Sequence, residues 1–85
     1  MGHTQFKSVL TRIFQEAQAK ELPYIDVVSA DLHRQVGGYP GPDHRMPVCC
    51  SVMTGAMVTG DTVISSPPGG KGASLVIRYR LPRNA

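Results

Sequence analysis

Four side chains in this sequence carry the chemistry to ligate a metal or to attack an electrophile: His33, His44, Cys49 and Cys50. Thiolates and imidazoles are the usual ligands of zinc, and a thiol beside an imidazole is a common nucleophile–base pair. The spacing speaks against both uses. There is no C-x-x-C pair, and neighbouring cysteines leave a helix about 100° apart, so Cys49 and Cys50 do not converge on one ion. Cys49 falls in an apolar stripe, where a free cysteine behaves as a small hydrophobe. Cys50 would act as a redox sensor only with exposure and cationic neighbours to lower its pKa. His44 beside either cysteine is the one conceivable dyad, and the six acids are scattered singly, without a carboxylate pair for acid–base work. We therefore expect no enzyme activity, no metal and no cofactor, with a metal or thiol sensor built on His44, Cys49 and Cys50 as the remotest reading. The run Gly69-Gly70-Lys71-Gly72 invites comparison with a nucleotide-binding loop. It lacks the G-x-x-x-x-G-K-[ST] spacing, Gly72 stands where a hydroxyl is needed, and a strand rather than a helix follows. Its glycines would still let the backbone approach a ligand while Lys71 meets a phosphate.

These groups belong to a chain of 85 residues, 41% hydrophobic and 18% charged, with a net charge of +3. A chain of that size buries roughly 60–65% of its unfolded surface, enough for a single domain over residues 1–85. Its hydrophobicity lies above that of chains that stay disordered. Adjacent cysteines close no loop, so no disulfide framework is expected. The N-terminal stretch has no apolar signal-peptide run, and no segment approaches the ~20 apolar residues that span a bilayer. The expectation is a cytoplasmic protein without membrane contact, nucleoid-associated if it binds DNA. Charge is unevenly placed: residues 1–44 carry four Lys or Arg against five Asp or Glu, net −1, whereas residues 45–85 carry five against Asp61 alone, net +4.

The elements that must position these side chains follow from periodicity. Phe6, Val9, Leu10, Ile13, Phe14 and Ala17 form one helical stripe, with Thr4 as the expected N-cap, Pro23 beyond its end and Lys7, Ser8, Arg12, Gln15 and Gln18 on the polar side. Its role is core packing. Tyr24–Val28 reads as a short strand, Ser29 as the cap of a two-turn helix through Val36, and 37–45 as a Gly- and Pro-rich connection. Pro47 suits the first turn of a third helix, expected over Met46–Val58 and ended by Gly60. Cys49, Val52, Met53, Ala56 and Met57 face its core, while Val48, Ser51, Thr54 and Gly55 face outward. Met46, Met53 and Met57 read as core filler. Thr62–Ser65 and Ser74–Leu81 then form a hairpin with a glycine-rich tip. Leu75, Ile77, Tyr79 and Leu81 alternate with Val76, Arg78 and Arg80, and the C-terminus from Arg83 is expected to fray.

Helix, short strand, helix, turn, helix, strand, glycine-rich loop, strand: this order, over about residues 4–82, resembles the winged helix-turn-helix domains. The implied fold is α+β, a winged helix of three helices with a short strand and a C-terminal two-stranded wing. The implied function is binding of duplex DNA by a small transcription regulator or recognition module, with the third helix in the major groove and the wing, about 67–73, on backbone or minor groove. The connection between helices two and three is longer than in many relatives. By this resemblance His44 and Arg45 stand where a docked helix presents its first residues to base edges, and Arg45 could bridge guanine O6 and N7. Val48, Ser51 and Thr54 line the same outward face, and Lys71 belongs to the wing. Arg78 and Arg80, followed by Arg83, extend the cationic surface if their strand face meets solvent; if it packs, they must pair with acids such as Asp26 or Asp61. The alternative is a protein-interaction domain without DNA binding, meeting a partner, a homodimer or a larger assembly, through the turn at Tyr39 and Pro40 or the hairpin edge.

Overall fold

The computed structural model describes residues 3–37, 45–69 and 72–83. The described residues form an α+β fold of three helices and one three-stranded antiparallel sheet. In chain order the elements are α1 (His3–Ala19), β1 (Tyr24–Val28), α2 (Ser29–Val36), α3 (Met46–Gly55), β2 (Thr62–Ser65) and β3 (Val76–Arg80). The sheet order is β1-β3-β2, so the short strand does not stand apart from a two-stranded wing but completes a single sheet around β3. Val27 lies opposite Ile77, which in turn lies opposite Val63, and a register shift interrupts β2 between Val63 and Ser65.

The expected helical stripe is the buried one. Phe6, Leu10, Phe14 and Ala17 of α1 are buried, with Val9 and Ile13 partly so. Thr4 lies inside the first turn rather than capping it, because the helix already includes His3. α1 ends in two bonds that run back along the chain, Glu21 N–H to the Gln18 carbonyl and Leu22 N–H to the Ala17 carbonyl, with Glu21 at φ 59°. That left-handed closing residue is the position glycine usually fills.

β3 alternates as its sequence implies. Leu75, Ile77, Tyr79 and Leu81 are buried against the helices, and Arg78 and Arg80 face the other way. Tyr79 packs edge-on to Phe14 with ring centroids 4.8 Å apart, and its hydroxyl donates to the Met53 carbonyl at 2.7 Å, joining β3 to α1 and α3. Burial raises the Tyr79 phenol pKa, with Arg83 nearby opposing that rise.

Four further expectations fail, each because tertiary partners replaced local ones. Ser29 is the first helical residue of α2, not its cap; its hydroxyl donates to the Gly72 carbonyl at 2.6 Å. The amides of Ser29 and Ala30 are satisfied by the carbonyls of Leu75 and Ala73, so the returning limb of the hairpin caps α2. β3 is correspondingly shorter than Ser74–Leu81, its approach being bound to α2. α3 stops at Gly55 rather than Val58. The Val58 amide, which would continue the helix, donates to Asp61 Oδ2 at 2.8 Å, and the Ala56 carbonyl accepts from Arg83 Nη2 at 2.7 Å. Arg83 therefore does not fray. Its guanidinium also meets Asp61 Oδ1 at 2.9 Å and the Arg80 carbonyl at 3.1 Å, and lies over the rings of Phe14 and Tyr79. Its amide donates to Gln18 Oε1.

Candidate nucleic-acid interface

The sequence candidates divide into three groups in space. Val48, Ser51 and Thr54 share the outward arc of α3 with Pro47 and Gly55, opposite the buried Met46, Cys49, Cys50, Val52 and Met53, and Arg45 precedes the helix as its exposed N-cap. Arg78 and Arg80 lie on the sheet face turned away from the helices, so they do not extend that arc. His44 and Lys71, like Tyr39 and Pro40, lie outside the described residues.

Arg45 is exposed at the N-cap of α3, and its backbone is fixed from α2: the Arg45 amide donates to Nε2 of the fully buried His33 at 2.7 Å. That bond assigns the neutral tautomer with its proton on Nδ1. The ring stands edge-on to Phe6 at 5.1 Å. His33 thus ties α1, α2 and the start of α3 together across the 38–44 connection. Val48 is half-buried and packs against the core. Thr54 is exposed, but its hydroxyl donates to the Cys50 carbonyl one turn earlier, 2.9 Å away. Ser51 is half-buried on the wall of a cleft between α1 and α3.

Of the four described cations of the second half, Arg45, Arg78, Arg80 and Arg83, two are ion-paired. Arg78 is bidentate to Asp26, at 2.8 and 3.1 Å, and its guanidinium lies 4.2 Å over the Tyr24 ring. The hydrogen bond from Arg78 holds the Asp26 carboxyl below its ordinary value. Arg83 is ion-paired with Asp61, whose side chain has no solvent exposure. Burial alone would raise the Asp61 pKa, but the Arg83 guanidinium and the Arg80 and Val58 amides outweigh it and the net shift is downward. Among the described residues of this half, Arg45 and Arg80 are the cations without an acid at salt-bridge distance.

Both cysteines are fully buried. Cys49 Sγ donates to the Ser29 carbonyl at 3.5 Å and Cys50 Sγ to the Gly72 carbonyl at 3.4 Å, so the two thiols hold α3 to α2 and to the hairpin. Burial pushes the Cys49 thiol up to about 12, with Cys50 beside it adding to the rise. A thiol so placed is a structural donor, and the exposure that a Cys50 sensor requires is absent.

Sequence reasoning assigned α1 a packing role only. In the structure Lys7 and Thr11 of α1 face Ser51 and Gly55 of α3 across a cleft of about 310 Å³. Lys7 and Thr11 also border a second, more open cleft on α1, of about 550 Å³, with Thr4, Ser8, Arg12 and Gln15. A signal was there: residues 1–15 and 44–60 contain no Asp or Glu. For the capping role of His33 no local signal existed.

No family model matches this chain, and neither does any curated protein or solved structure. Among the described residues no helix is long and apolar enough to cross a membrane.

Proposed function

We propose that this protein is a winged-helix DNA-binding domain in which α3 enters the major groove and the β2–β3 hairpin meets the backbone or minor groove. The observation that carries the reading is the outward arc of α3, Pro47 to Gly55. It is free of acids, carries the hydroxyls of Ser51 and Thr54 beside the apolar Pro47 and Val48, and is preceded by an exposed Arg45 whose backbone is held by His33. A major groove about 12 Å wide admits one α-helix, and a docked helix presents its first residues to the bases. Arg45 is the base reader in this scheme, and Val48, Ser51 and Thr54 line the contact. Arg78 is a strut of the sheet, and Arg80 is at most a peripheral backbone contact. With few free cations, binding is modest and steeply dependent on salt.

The test is a mobility shift of random-sequence and genomic duplexes at low and rising salt. Binding at low salt that disappears as salt rises is expected, and unchanged mobility at low salt rejects the reading. Arg45→Ala should relax sequence preference in a binding-site selection, at a cost of about 1–3 kcal/mol on preferred sites.

A second reading is favoured by a different observation. On β2 and the turn before it, Val58, Val63 and Ile64 are 62%, 44% and 47% exposed, and Thr62–Ser65 carries no charge or proline to protect a sheet edge. In that reading the hairpin edge pairs with a protein partner. Concentration-dependent assembly abolished by Ile64→Lys, without any DNA shift, would favour it.

A further inference from the structure

Among the described residues, four arginines have partners on other residues' side chains, and one of those partners is uncharged. Arg34, Arg78 and Arg83 pair with Asp31, Asp26 and Asp61, whereas Arg12 Nη2 donates to the amide oxygen of Gln35 at 2.8 Å. Gln35 therefore orients the Arg12 guanidinium without neutralising it. Five residues earlier on α1, Lys7 is exposed, and no acid is among the described residues lining the two clefts it borders. The positions Thr4, Lys7, Ser8, Thr11, Arg12 and Gln15 recur at three- and four-residue spacing, so they form one continuous face of α1. That face turns at Lys7 and Thr11 into the cleft against α3, where Ser51 supplies a further hydroxyl. A Cβ at Gly55 would meet nothing within 4 Å, so the cleft stays open on the α3 side.

Lys7 and Arg12, the hydroxyls of Thr4, Ser8, Thr11 and Ser51, and the absence of acids among the described residues lining the two clefts fit a phosphodiester backbone, while the apolar Leu10, Phe14, Val52 and Ala56 complete the wall of the α1–α3 cleft. We propose that the α1–α3 cleft and the adjoining face of α1 seat the sugar–phosphate backbone of one DNA strand, with Lys7 and Arg12 opposing phosphates and Thr11 and Ser51 donating to their oxygens. This rests on the duplex-binding reading above and adds to it the element that flanks the groove helix. The strip abuts the arc of α3, so a strand bordering the groove that α3 occupies would run along α1.

The experiment measures fluorescence anisotropy of a labelled duplex against KCl concentration for the wild type, Lys7→Gln, Ser51→Asp and Lys20→Gln. Lys20 is an exposed cation just beyond the far end of α1, away from both clefts, and serves as the control. Thermal melts confirm that each variant is folded. Lys7→Gln should lower the slope of log K against log[KCl] by about 0.9, the loss of one phosphate contact, equally for all duplex sequences. Ser51→Asp, which places an acid in the cleft, should abolish measurable binding, and Lys20→Gln should leave the slope unchanged. Wild-type binding with the same slope in Lys7→Gln overturns the α1 seat and leaves α3 as the reader. No duplex binding by the wild type overturns both, and retention on polyglutamate in that case would assign the strip to an acidic polypeptide.

Discussion

Replacing Asp61 by Ala removes the one carboxylate on which three segments converge. Its Oδ1 accepts from Arg83 Nη1 at 2.9 Å and from the Arg80 amide at 2.8 Å, and its Oδ2 accepts from the Val58 amide at 2.8 Å. The end of α3, the approach to β2 and the exit of β3 are all held by this group. The Asp61 side chain is inaccessible and that of Arg83 is 9% exposed, so solvent replaces little of what is lost. Breaking a buried ion pair by removing one partner costs roughly 3–5 kcal/mol. Arg83 keeps its bonds to the Ala56 and Arg80 carbonyls, which places the expected loss at the low end, about 3 kcal/mol. For a domain of this size that lowers Tm by roughly 12–24 °C. Asp61→Asn should also destabilise, since its amide NH2 must face a donor, either the Val58 N–H or the Arg83 guanidinium. The pH dependence has a definite sign. Because the Asp61 pKa is lowered in the folded state, the unfolded chain binds more protons between the folded value and the ordinary 3.8. The stabilisation is therefore complete above about pH 4 to 5 and lost as pH falls through the folded value. The gap in Tm between wild type and Asp61→Asn should accordingly narrow on acidification below pH 4. Melts followed by circular dichroism from pH 7 to pH 3 measure both effects. A drop for Asp61→Ala no larger than that for Asp26→Ala, whose pair with Arg78 is exposed, would refute the argument that the buried network closes this end of the domain.

Two further outcomes follow from the same structure. Glu21 holds a left-handed conformation at the end of α1, which costs a side-chain-bearing residue about 1–2 kcal/mol. Glu21→Gly should raise stability by about 1 kcal/mol after the added entropy of the unfolded glycine is subtracted, read as a shift in urea midpoint with unchanged m-value. With both thiols buried and Cys49 pushed up to about 12, neither cysteine should react with a thiol reagent at pH 8 in the native protein, and both should react once urea unfolds it. Rapid labelling of native Cys50 would show that the hairpin contact at Gly72 opens readily.

The stripe from Phe6 to Ala17, the alternation from Leu75 to Leu81 and the strand Tyr24–Val28 were legible in the sequence, because each depends on a period set by its own backbone geometry. The outward set Val48, Ser51, Thr54 and Gly55 was legible for the same reason. What periodicity could not carry was any group whose partner lies far along the chain. Whether Arg78 and Arg83 are surface charges or struts depends on Asp26, 52 residues away, and on Asp61, 22 residues away. The fold brings these acids to hydrogen-bond distance, and two of the cations that make up the +4 of the second half are thereby paired. The cap of α2 and the end of α3 escaped the sequence because their orphan backbone groups are satisfied by the hairpin and by Asp61 and Arg83, not by neighbours in sequence. The alignment of Lys7 and Thr11 with Ser51 likewise arises only when α1 packs beside α3. Local spacing determined which residues face inward; the docking of one element on another decided which cations remained available to a ligand.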